Sequence, residues 1–76
     1  MADDKLAAKQ ELEGMLIKRR WLVRDLEAYR GKGDAPGVAR SEPLVKAQER
    51  GIREHCAEHG LDVPHDVPPE GENNGR

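Results

Sequence analysis

One cysteine in 76 residues excludes an internal disulfide, the usual staple of domains this small. Phenylalanine is absent, and a single Trp and a single Tyr accompany it, so any core must be built from aliphatic side chains. Below about 70–80 residues such a core rarely supplies more than ~3–5 kcal/mol. No apolar run approaches the ~18 residues needed to cross a bilayer. The opening Met-Ala-Asp-Asp lacks the basic and then apolar pattern of a signal peptide, and the expected compartment is the cytoplasm. With disulfides excluded, self-association, a partner or a metal is left to supplement the core.

What the chain has in quantity is charge. Charged residues make up 37% of the sequence against 36% hydrophobic, and the formal net charge of −2 conceals a segregation. Residues 18–53 carry ten Lys or Arg against five acids, whereas the last sixteen carry four acids against one Arg. A basic middle with an acidic end is compatible with nucleic-acid contact and equally with an ordinary solvated surface. Arg outnumbers Lys eight to five, and Gly, Ala and Glu are plentiful, a composition that points to a GC-rich bacterial or phage genome.

The spacing predicts two helices. At about 100° per residue, Ala8, Leu12, Met15, Leu16, Leu22, Val23 and Leu26 share one stripe of a helix over 4–30, while Leu6, Ala7, Gly14, Ile17, Trp21 and Ala28 gather opposite. Asp3 or Asp4 caps its start. Gly31 to Gly37, with three Gly and a Pro, reads as a loop. Ser41 then caps a second helix over 42–59, with Pro43 in its first turn and His59-Gly60 at its end. Leu44, Val45, Gln48, Ile52, His55, Cys56 and His59 form its one apolar stripe.

Two helices joined by a loop of about ten residues fold most simply as an antiparallel hairpin, so the expected class is all-α. This register sets Leu26 near Gln48, Leu22 near Ile52 and Leu16 near Cys56, with Leu22, Leu26, Val45 and Ile52 the most buried. The hairpin domain is expected over 1–62, followed by a flexible acidic, Pro-rich tail over 63–76. Leu61, Val63 and Val67 are free to fold back over the longer first helix. Arg19 interrupts the core stripe and needs a carboxylate, with Glu54 or Glu58 nearly opposite, unless it extends to the edge and buries only its stem.

One helix with two apolar faces asks for two partners. The second face, centred on Trp21 with Ile17, Gly14 and Ala28, reads as a contact surface for another chain, most simply a second copy in a homodimeric four-helix arrangement. In the rival arrangement Val63 to Val67 wrap across Trp21 within one chain.

Reaction chemistry finds no support. His55, Cys56, His59 and His65 are the only ligand-type cluster, and no Cys-x-x-Cys pair supports them, so neither a metal nor a cofactor is expected. Two helices also offer no pocket in which a Cys and a His would act as nucleophile and base. Nucleic acid is the alternative partner: Arg20 and Arg24 lie on one side of the first helix, and Lys46, Arg50 and Arg53 on one side of the second. Against it, the loop is too long for a helix-turn-helix and a third helix is missing. A membrane-surface role for the Leu-Ile-Lys-Arg-Arg-Trp-Leu-Val stretch is opposed by Glu11, Glu13, Asp25 and Glu27 around it. The resulting expectation is a small non-enzymatic interaction module: a regulator, adaptor or assembly component.

Overall fold

The computed structural model describes residues 2–68, with side chains from residue 4 onward. Two helices run antiparallel: α1, Ala2–Lys32, and α2, Ala35–His59. The all-α hairpin expected from the two periodicities is what forms, with no strand among the described residues. No helix among them is long and apolar enough to cross a membrane.

The connection is far shorter than the Gly- and Pro-rich segment implied. Gly33 takes a left-handed φ of 71°, ends α1, and donates its N–H to the Arg30 carbonyl at 3.1 Å. Asp34 follows at once as the N-cap of α2, its carboxylate accepting from the Gly37 N–H at 3.1 Å. Pro36 sits in the first turn, where its missing N–H has no helical partner to lose. A complete start signal therefore stands seven residues ahead of Ser41. Ser41 is buried inside α2, not a cap, and Pro43 lies in the helix interior. Pro43 cannot donate to the carbonyl of Ala39, which is an exposed residue.

Gly37 is what allows the tight turn. A Cβ built there would collide with the Tyr29 ring and come within 2.9 Å of Asp34 Oδ2. Gly37→Ala is accordingly expected to destabilise the hairpin by about 1–3 kcal/mol through overpacking, although alanine is the better helix former. Chemical denaturation followed by circular dichroism checks it, and a variant as stable as the parent would show that Tyr29 yields without cost.

The two-residue turn resets the register. Gln48 Nε2 donates to the Met15 carbonyl at 2.9 Å, and His55 Nε2 lies 2.8 Å from the Ala8 carbonyl. Gln48 therefore faces Met15 and not Leu26, eleven residues or about three turns away along α1, because α2 begins earlier. Ile52, Cys56 and Val67 form the buried cluster, and Leu12, Met15, Leu16 and Leu61 pack around it. Leu26 and Val45 are buried as expected, whereas Leu22 is only half-buried. It is not among the side chains of that three-sided cluster, while Leu26, one turn nearer the hairpin tip, is buried.

The third side of the core comes from the segment after α2. Gly60 takes φ 65° and the Leu61 N–H returns to the Cys56 carbonyl at 2.8 Å, turning the chain back. Val67 is buried and Arg53 donates to the Pro68 carbonyl at 2.6 Å. The packed part thus reaches 68, past the boundary expected at 62, and the remaining tail residues, 69–76, lie outside the described residues.

Arg19 meets Glu49, not Glu54 or Glu58, a consequence of the same shift in register. Its Nε and one terminal nitrogen both lie 2.9 Å from Glu49 Oε2, with the two side chains 18% and 7% exposed.

Candidate interaction surface

With α2 and the returning segment on one side of α1, the opposite side is left bare. Trp21 is 60% exposed, Ile17 51% and Leu6 56%, and Gly14 and Ala28 are exposed on the same side. The returning segment does not cover Trp21: Val67 is spent on Ile52 and Cys56, and Val63 faces solvent. The rival single-chain arrangement is thereby overturned.

Around the indole the surface has shape and charge. Ile17, Arg20, Trp21 and Arg24 line an open groove of about 200 Å³. The Arg24 guanidinium carbon stands 5.7 Å from the Trp21 ring centroid, within reach of a cation–π attraction. This arrangement can take an apolar group against Trp21 and Ile17 and an anionic group between the two guanidinium heads.

The five basic residues expected to meet phosphate are not brought together as one set. Arg20 and Arg24 flank Trp21, and Lys46 and Arg50 are exposed on α2. Arg53 is half-buried, holds the Pro68 carbonyl, and keeps its Nε inside without a partner among the described residues. It serves packing.

The His and Cys cluster is dispersed in the same way. The buried Cys56 thiol donates to the Asp62 carbonyl at 3.7 Å, and burial, followed by the nearby Asp62 charge, pushes its pKa up, which disfavours the thiolate a metal or a substrate would need. His55 is committed to the Ala8 carbonyl, with its ring centroid 4.6 Å from that of His59. His59 is exposed, 4.0 Å from Glu58, and His65 is exposed on the returning segment. Among the described residues no group of three or more His, Cys, Asp and Glu is gathered to hold a metal ion.

Sequence reasoning missed a second groove, about 400 Å³, at the hairpin tip between Arg30, Gly33, Ala35, Val38, Ala39 and Glu42. An exposed ion pair, Arg30 to Glu42 at 3.0 Å, crosses it. The signal lies in Asp34-Ala-Pro-Gly37, a capping aspartate with proline behind it, inside a segment whose Gly and Pro content equally suits a loop. Comparison with protein-family models, with curated proteins and with solved structures finds no match to the chain.

Proposed function

We propose that the chain acts by binding and not by catalysis, as a small interaction module whose contact surface is the Ile17–Trp21 side of α1 and whose first partner is a second copy of itself. The observation that carries this reading is the exposed Trp21 beside an equally exposed Ile17 on the helix face turned away from the hairpin core. Single exposed apolar residues are ordinary, but a Trp beside an exposed Ile and flanked by two Arg is the composition of interface anchors. A core of this size also gains from additional buried surface. A regulator, an adaptor or an assembly component of a bacterium or phage would each use such a module.

Nucleic acid is the weaker partner, because Arg53 is withdrawn into packing and only Lys46 and Arg50 remain exposed of the α2 group. Trp21→Glu tests the reading. The wild type is expected to sediment as two chains and the variant as one, with helicity retained because the hairpin core lies on the other side of α1. Truncating such an anchor commonly costs 2 kcal/mol or more of association, which lowers affinity about thirtyfold. A wild type that is a single chain at every concentration, or a dimer untouched by Trp21→Glu, would overturn it.

A further inference from the structure

We infer that the second copy packs its α1 antiparallel to the first, about a two-fold axis passing near Ile17 and Lys18, with Trp21 of each chain seated over Gly14 of the other. This rests on the reading above and adds the geometry of the partner.

The first support is steric. Trp21 projects from the bare face, and seven residues earlier a Cβ on Gly14 would meet nothing within 4 Å, so the space above it is open. Seven residues are close to two turns, which puts the two positions on the same side of the helix and about 10 Å apart. An antiparallel pair with its dyad midway between them fits each indole into the gap over the opposing glycine. A parallel pair would oppose Trp21 to Trp21 and Gly14 to Gly14, bulge on bulge and gap on gap.

The second support is length. α1 runs from Ala2 to Lys32, and its midpoint is Ile17. A dyad beside it overlaps nearly the whole helix with its copy and brings exposed Leu6 within one residue of the level of Ala28, again large against small. This is the self-complementary surface that an isologous two-fold interface requires.

Charge supplies the third. In the same register Glu13 of one chain comes to the level of Leu22 of the other, between Arg20 and Arg24, which line the groove beside Trp21. Neither guanidinium has a carboxylate partner among the described residues of its own chain. A Glu13 carboxylate would enter that groove twice in the dimer, once from each side.

The test uses the full chain carrying one new cysteine, Gln10→Cys or Asp25→Cys, both at exposed positions, with Cys56 retained as a buried and unreactive thiol. Positions 10 and 25 are equidistant from the dyad and meet across the interface, whereas two copies of position 10 would stand about 22 Å apart along the axis, beyond the reach of a disulfide. Mild oxidation of the mixed variants is expected to give the mixed two-chain disulfide about tenfold faster than either variant alone gives its own. A second variant, Gly14→Leu, is expected to melt higher than the parent at concentrations where the chain is single, since glycine is a poor helix former and the added side chain meets nothing. The same change fills the seat of the opposing indole and should weaken association about tenfold or more. Disulfides within each variant alone, or a Gly14→Leu dimer as tight as the parent, overturn the antiparallel register and leave association through this face standing. A wild type that stays a single chain throughout overturns both.

Discussion

Ile52→Ala should lose about 3–4 kcal/mol of unfolding free energy, enough to leave the chain largely unfolded at 25 °C, because deleting a buried branched side chain adds a cavity to the lost transfer energy. Ile52 has no exposed surface and lies where α1, α2 and the returning segment meet, so no neighbour can collapse into the space without opening another. Circular dichroism with urea at fixed protein concentration measures the effect; the concentration must be held because association adds to apparent stability. Leu22→Ala should cost less, since Leu22 is half-buried. Equal costs at the two positions would place the core nearer the hairpin tip than described.

Glu49→Ala is the second large effect. It leaves the Arg19 guanidinium, on a side chain only 18% exposed, without its carboxylate, and arginine cannot discard its charge by deprotonation. Removing one member of a buried pair commonly costs 3–5 kcal/mol, and here about 3 is expected because Arg19 retains some access to water. The double variant Arg19→Leu with Glu49→Leu should recover most of that loss, since apolar replacement of a buried pair is often neutral or better. A double variant as unstable as the single one would show that the pair contributes net stability of its own.

The helical hairpin was legible because both helices repeat apolar residues at the helical period, and the bare face of α1 was legible because a second stripe has no second helix to meet. The register was not. It depends on the length of one turn, and Gly31 to Gly37 carries both loop residues and a full capping signal; the Asp34 side chain and the fit of Gly37 against Tyr29 decide between them. Once the turn closes over two residues, Arg19 meets Glu49 instead of Glu54 or Glu58, and Leu22 moves towards the margin. Arg53 looked like one of three exposed cations, and only a returning segment that brings the Pro68 carbonyl to it shows otherwise. No local pattern announces a contact of that kind.

Gln48 and His55 both reach across to carbonyl oxygens of α1, at Met15 and Ala8. The donors are seven residues apart, and so are the acceptors. A carbonyl is common to every residue and recurs each turn, so a slip of α2 by one turn, about 5.4 Å, would offer both side chains new oxygens of the same kind. These two bonds are glue without an address. The address is written elsewhere, in the one carboxylate that answers Arg19 and in the one glycine that lets Tyr29 close the tip. Lengthen the turn and neutralise Glu49 together, and the two helices would still adhere, but as a sliding joint.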